Sequence, residues 1–151
     1  MAFIKTMTID GFYTKDDAMN LSNVVNNLRY SQSEFGYEIE EFNAVAPEFN
    51  DLFSNVLGKP INIDLDRSGV FRKPELFIHF ESFQDTTEWL FVVALEHSTF
   101  NIFEHKSGAK SALDGYNFGY RNLFEWDLTV NYLLEPGQGI FFRPWLFHTF
   151  D

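Results

Sequence analysis

The sequence predicts an α+β protein in which two helices pack on a β-sandwich or barrel. Two helical patterns of apolar residues lie within the first 58 residues, whereas short strand patterns separated by turn residues fill residues 60–151. The length of 151 residues fits a single domain, residues 1–151, with a sizeable core. Because 19% of the residues are aromatic, we expect an interior rich in aromatic rings.

The N-terminal 58 residues are predicted to form one strand and the two supporting helices. Residues 3–12 alternate loosely between apolar and polar and end near a glycine, which indicates a strand followed by a turn. Thr14 is a typical N-cap, and the apolar spacing behind it predicts a helix to about residue 29. Pro47 begins the second helical pattern, and Gly58 ends it.

The C-terminal part carries apolar runs and alternations that are typical of strands. Pro136 and Gly137 suit a tight turn, since Pro presets φ and Gly accepts a positive φ. We therefore expect this turn to join the last two strands. Strands are predicted over residues 76–83, 89–96, 99–104, 126–134 and 140–150, and residues 109–121 are predicted to form a loop.

A histidine, His148, lies within the apolar run of the last predicted strand. A buried imidazole needs a partner for its nitrogens, and one such partner is a metal ion. His79 and Glu81 lie two positions apart on an earlier predicted strand, so both side chains point to the same face. Two histidines and one carboxylate form a set that holds non-haem iron and leaves the other metal positions open.

Each of these histidines also has an ordinary interpretation. Taken alone, His79 is a hydrogen-bonded strand residue with Glu81 as its neighbour on the solvent side. The other two histidines, His97 and His105, are predicted at surface or loop positions, from which either could supplement or replace a ligand.

Three short stretches together resemble the iron(II)/2-oxoglutarate-dependent oxygenases of the prolyl-hydroxylase type and the related cupins. They are residues 8–14 (TIDGFYT), residues 71–81 (FRKPELFIHFE), and residues 135–148 (EPGQGIFFRPWLFH). The resemblance implies a double-stranded β-helix, a jelly-roll barrel, for this chain. It also implies iron(II) held by His79, Glu81 and His148, with 2-oxoglutarate as co-substrate and a small molecule or peptide as substrate.

The chain departs from the family pattern at the residues that anchor the co-substrate. The family's anchoring arginine follows the second histidine by about ten residues, and the sequence ends at Asp151. The candidate replacements are Arg143, Arg121, His97 and Thr99, of which the arginines suit a carboxylate best. An edge left by the missing strand would favour pairing with another subunit, so a homo-oligomer, as a dimer, is expected.

Charge and composition exclude several other functions. The formal net charge is −11, and no basic patch is present, so nucleic-acid binding is not expected. No cysteine is present, which excludes a disulfide framework and a zinc–thiolate site and is consistent with a cytoplasmic protein. No apolar run suits a membrane span.

Two further interpretations of the same fold stay open. The chain is alternatively a cupin-fold binding or assembly protein without catalytic activity, for example a viral structural or accessory protein. A metal-dependent cupin that works without 2-oxoglutarate would use the same three ligands.

Overall fold

A computed structural model describes residues 5–27, 31–32, 38–40, 48–63, 70–72, 78–81, 87–120 and 122–151. The helices are α1 (Lys15–Val25) and α2 (Glu48–Leu57). The strands are β1 (Thr6–Ile9), β2 (Ser31–Gln32), β3 (Glu38–Glu40), β4 (Val70–Arg72), β5 (Leu90–Val93), β6 (Ser98–His105), β7 (Trp126–Leu134), β8 (Gly139–Phe142) and β9 (Phe147–Phe150). Short 3-10 turns lie at Ala112–Asp114 and Leu123–Glu125. In the described ranges no helix is long and apolar enough to cross a membrane.

The strands form three antiparallel sheets of three strands each. The first sheet has the order β1-β8-β5, the second β7-β6-β9, and the third β2-β3-β4. The α+β class is therefore confirmed. The strands within the described ranges do not close into a barrel, so the double-stranded β-helix stays a prediction.

The predicted last strand, residues 140–150, is wrong as a single element. The run divides into β8 and β9, which belong to different sheets. Between them Leu146 donates its N–H to the carbonyl of Arg143 at 3.2 Å, and Pro144 has no N–H to offer a ladder. The Pro136-Gly137 turn joins β7 to β8, as predicted, and it carries the chain from one sheet to the other because the two strands lie in different sheets.

The first and second sheets pack face to face around one apolar core. Phe142 of β8 meets Phe100 of β6 with their ring centroids 4.7 Å apart, and both side chains are fully buried. Thr6 and Tyr132 join the two sheets at their rim through a hydrogen bond of 2.8 Å between their hydroxyls. The buried members of this core are Ala94, Phe100, Ile102, Leu134, Ile140, Phe142 and Leu146.

A second core covers the opposite face of the second sheet. The connection between β6 and β7, residues 106–125, folds over this face and buries Phe147 against Trp126, with their ring centroids 4.8 Å apart. Side chains alternate along a strand, so Phe147 on this outer face leaves its neighbour His148 on the inner face. Both faces of the second sheet are therefore packed.

The two helices are positioned by aromatic and backbone contacts on the first sheet. Phe53 of α2 packs on Phe91 and Phe141 with centroid distances of 4.7 and 5.1 Å. Thr14 accepts a hydrogen bond from the N–H of Asp17, which confirms the predicted N-cap of α1. Gly137 has a φ of 93°, and a Cβ there would collide with the carbonyl of Tyr13.

Candidate metal centre

The segment 78–81 runs beside β9 and brings the three predicted ligands together. His79 and His148 exchange both backbone hydrogen bonds, at 2.9 and 3.2 Å, and are therefore directly opposite each other. Opposite residues of an antiparallel pair place their side chains on the same face. Glu81 lies two residues later on that face, and its N–H donates to the carbonyl of Pro144 at 2.8 Å.

The donor atoms of the three side chains converge at one point. Nε2 of His79 lies 3.1 Å from Oε1 of Glu81, and Nε2 of His148 lies 3.9 Å from the same oxygen. One ligand atom from each residue lies within 4.8 Å of the other two. The two imidazole rings are tilted by 54° with their centroids 4.4 Å apart, so they do not stack flat on each other.

A hydrogen bond to the backbone fixes the tautomer of His148. Its Nδ1 lies 2.8 Å from the carbonyl oxygen of Leu146. Because a carbonyl oxygen only accepts hydrogen bonds, Nδ1 carries the proton, and Nε2 of the neutral ring has its lone pair directed at the cluster. A metal-binding histidine typically donates its other ring N–H in this way, which fixes the tautomer and the ring orientation.

Burial keeps the imidazole of His148 neutral. Burial, and in second place the neighbouring His79, lower the pKa of His148 to about 3. The hydrogen bond to Leu146 and the charge of Glu81 act in the opposite direction but do not compensate. His148 is thus uncharged at neutral pH, so its approach to Glu81 is not an ion pair. Metal ions require this neutral form.

The site is sealed on the histidine side and open at the carboxylate. His79 and His148 are buried, and Phe100 and Phe142 pack against the ring of His148 at centroid distances of 5.6 and 4.8 Å. The carboxylate of Glu81 is partly exposed. Any ligand or substrate that reaches the cluster from solvent therefore approaches at Glu81.

The donor set fits a divalent transition metal. With bonds of about 2.1 Å, two donors on one metal lie about 3.0 Å apart at a right angle and about 3.4 Å apart at a tetrahedral angle. The separation between His79 and Glu81 falls in this range, and the one between His148 and Glu81 exceeds it by about half an ångström. All three separations lie within 4.8 Å, so a bound metal would draw the three side chains slightly closer together. Two imidazoles and one carboxylate suit iron, zinc and related metals.

Among the residues proposed to anchor 2-oxoglutarate, those that the structure describes do not join this cluster. The guanidinium of Arg143 lies over the ring of Trp89 at 3.6 Å and donates to the carbonyl of Glu88 at 3.0 Å, and burial lowers its pKa. Trp89 packs on Phe141, on the face of the first sheet that α2 covers. Arg121 lies outside the described residues.

His97 and Thr99 are also distant from the cluster or face away from it. Thr99 bonds Asp151 and follows the alternation of β6 onto the face opposite Phe100, which contacts His148. His97 is highly exposed and pairs with Glu135 at 3.6 Å. It lies five residues before Ile102, the β6 partner of His148, or roughly 16 Å along an extended chain.

His105 has a structured environment that the sequence did not indicate. Its ring stacks on Phe118 with their centroids 4.0 Å apart, and Trp126 meets it edge-on at 4.9 Å. Its Nε2 is buried without a hydrogen-bond partner and lies 3.8 Å from a carboxylate oxygen of Glu125. Only the packing of residues 106–125 onto the second sheet creates this environment, and no local pattern around His105 predicts it.

The chain matches none of the protein-family models, curated proteins or solved structures with which we compared it. The case for a function therefore rests on the geometry of the His79–Glu81–His148 cluster.

Proposed function

We propose that this chain is a metal-dependent enzyme of the non-haem iron(II) oxygenase type, with His79, Glu81 and His148 as the metal ligands. The observation that carries the proposal is the convergence of the three donor atoms within 4.8 Å. Four histidines are present in the sequence, and two of them, from distant parts of the chain, meet across one strand pair beside a carboxylate.

Each residue has a distinct part in holding the metal. His148 offers the lone pair of Nε2, which its bond to Leu146 keeps in place. Nε2 of His79 lies 3.1 Å from the Glu81 carboxylate and donates to it in the metal-free chain, so it would release this proton to offer the second nitrogen, and Glu81 would compensate part of the metal's charge. When bound by such a set, iron(II) would supply oxygen-dependent oxidation of a substrate. The Phe side chains around His148 exclude water from the opposite side.

We propose 2-oxoglutarate as the co-substrate, on the sequence resemblance and on charge. Two neutral imidazoles and one carboxylate leave a divalent ion with a net charge of about +1, which favours an anionic co-substrate in a partly buried site. A small molecule or peptide would be the oxidised substrate, entering at Glu81. A cupin that works without 2-oxoglutarate is the second candidate, and the placement of Arg143 on the other face of the first sheet favours it.

The test is an anaerobic titration of iron(II) into the purified chain, with and without 2-oxoglutarate, followed by visible absorption. A chelated 2-oxo acid on iron(II) gives a weak charge-transfer band. We expect this band in the wild type and its loss in His79→Ala and His148→Ala. His97→Ala is the matched control, since His97 is an exposed histidine outside the cluster, and it should keep the band.

The outcomes separate the two candidates. Iron binding without the band, lost in both cluster variants, would support the cupin chemistry and exclude 2-oxoglutarate. Iron binding that His97→Ala weakens as much as His148→Ala would show adventitious binding by surface histidines. No iron binding at all would contradict the proposal and leave a β-sandwich that serves as a binding or assembly protein.

A further inference from the structure

Strand β7 is an edge of the second sheet. Within the described parts of the chain it pairs only with β6, so its other edge presents backbone N–H and C=O groups outward. A register shift at Ile102 and Phe103 interrupts the ladder near Thr129. Beyond this bulge, residues 130–134 form a regular stretch that pairs with residues 98–102. This stretch can accept a further strand.

Large apolar side chains are exposed along this edge, between the exposed polar residues Asp127, Thr129 and Asn131. Leu133 is 75% exposed and Leu128 is 55% exposed, although both lie in a strand. Phe124, in the 3-10 turn just before β7, is 89% exposed. Proteins usually protect long edges with lysine or proline, and β7 contains neither. Exposed apolar side chains that cluster along an open edge indicate a contact surface.

Charge indicates which partner this edge fits. The chain has a formal net charge of −11, yet Asp127 is the only charged residue in β7. Two copies of an acidic chain repel each other least where both present an uncharged strand. Nucleic acid is a polyanion and would be repelled by this acidic chain, whereas a basic protein would be drawn to the acidic surfaces rather than to an edge with a single charge.

We propose that β7 pairs antiparallel with β7 of a second copy, forming a two-fold symmetric dimer with a continuous six-stranded sheet. A two-fold axis at Tyr132 would set Val130 opposite Leu134 and Asn131 opposite Leu133, without a pair of like charges. A strand of nine residues spans only about 30 Å, so the contact falls below the roughly 800 Å² per subunit of a standard interface. The dimer is therefore weak and depends on concentration.

Sedimentation velocity across micromolar to submillimolar concentrations, at low and high salt, tests this dimer. Because the two copies repel, high salt should strengthen association, whereas an interface built on ion pairs would weaken. The test variant is the double substitution Leu128→Lys with Leu133→Lys, for which we expect at least about a tenfold loss of dimer affinity.

The matched control is Met19→Lys with Val24→Lys on α1, which adds the same charge at side chains that are 59% and 53% exposed. This control should keep the dimer affinity or raise it slightly, because it reduces the net negative charge. A second readout does not depend on any variant. In the wild type, amide hydrogen exchange of residues 130–134 should slow as the concentration rises.

Three results would overturn the proposal. One is a monomer at every concentration and salt. Another is a dimer that both double variants weaken equally. The third is a dimer without concentration-dependent protection of residues 130–134, which would place the interface elsewhere.

Discussion

The two faces of the second sheet each hold a histidine beside a carboxylate, but the two environments differ in kind. On the inner face, His148 lies opposite His79, and Glu81 approaches both. On the outer face, His105 lies in an aromatic enclosure with Glu125 as its acidic neighbour at 3.8 Å. The sequence contains both pairs, but only the first has converging donors.

The partner of Nδ1 determines which nitrogen of each ring is available. In His148 a carbonyl oxygen accepts from Nδ1, so Nε2 has a free lone pair for a metal. In His105 the backbone N–H of Ser107 donates to Nδ1 at 3.1 Å. The neutral ring of His105 therefore carries its proton on Nε2, which cannot bind a metal in that form. The backbone group two residues away from each histidine thus leaves a lone pair on Nε2 of His148 and a proton on Nε2 of His105.

The largest expected difference concerns stability against pH. The unfolded chain takes up a proton on His148 near pH 6.5, but burial keeps the folded chain from doing so until about pH 3. The neutral, buried His148 makes its full contribution to the free energy of unfolding above pH 6.5. This contribution is lost progressively as the pH falls from 6.5 to about 3. The loss amounts to at most about 5 kcal/mol at pH 3, of which about 3 kcal/mol is expected by pH 4. Chemical unfolding of the metal-free protein between pH 7 and pH 4 measures this part.

His148→Asn is the reference chain for this measurement. Its amide can donate to the carbonyl of Leu146 but does not titrate, so the free energy of unfolding should fall less steeply with acid than in the wild type. The carboxylates titrate in both chains and cancel in the difference. Parallel pH profiles for the two chains would show that His148 is not kept neutral by burial.

Substitutions in the two cores should differ in a smaller effect, their influence on the pKa of His148. Phe100→Ala and Phe147→Ala each remove a fully buried ring and should lower the free energy of unfolding by about 3–5 kcal/mol. Of these two residues, only Phe100 lies against the ring of His148, with their ring centroids 5.6 Å apart. Phe100→Ala should therefore admit water beside His148 and raise its pKa toward the ordinary range, whereas Phe147→Ala should not. A titration of the imidazole signals by NMR reads this difference, and equal pKa values in the two variants would contradict it.

The smallest effect is expected at the two carboxylates. Glu125→Gln removes a partly exposed charge beside His105 and should change the free energy of unfolding by less than about 1 kcal/mol. It should leave metal binding unchanged. Glu81→Gln should weaken metal binding by at least about tenfold. Calorimetric titration of both variants with zinc(II) checks the contrast, and a similar loss in both would place the metal elsewhere.

The sequence allowed the members of the cluster to be predicted because each is marked by its own local pattern, although their pairing is long-range. His79 and Glu81 share a face by the period of two, and His148 is a histidine in an apolar run. The helices were predictable for the same reason, through the N-cap at Thr14 and the glycine after α2, whose φ is 74°.

The sheet assignment of the strands was not predictable. The strand β8 is buried on both faces, by α2 on one side and by the second sheet on the other, so residues 140–150 show no alternation that would reveal the break at Pro144. An apolar period tells which face a residue occupies, but not which sheet it joins. The hydrogen bond from His148 to Leu146 depends on that break. Its effect on the tautomer of the His148 ring could therefore not be predicted from the sequence either.

The most direct test of the metal site is calorimetric titration of cobalt(II) into the wild type, His148→Ala and His105→Ala. We expect one ion per chain in the wild type and in His105→Ala, with a visible cobalt spectrum of mixed nitrogen and oxygen ligands. We expect that binding to be lost in His148→Ala. If His148→Ala binds cobalt(II) as the wild type does, or if His105→Ala loses it equally, the inner-face cluster is not a metal site.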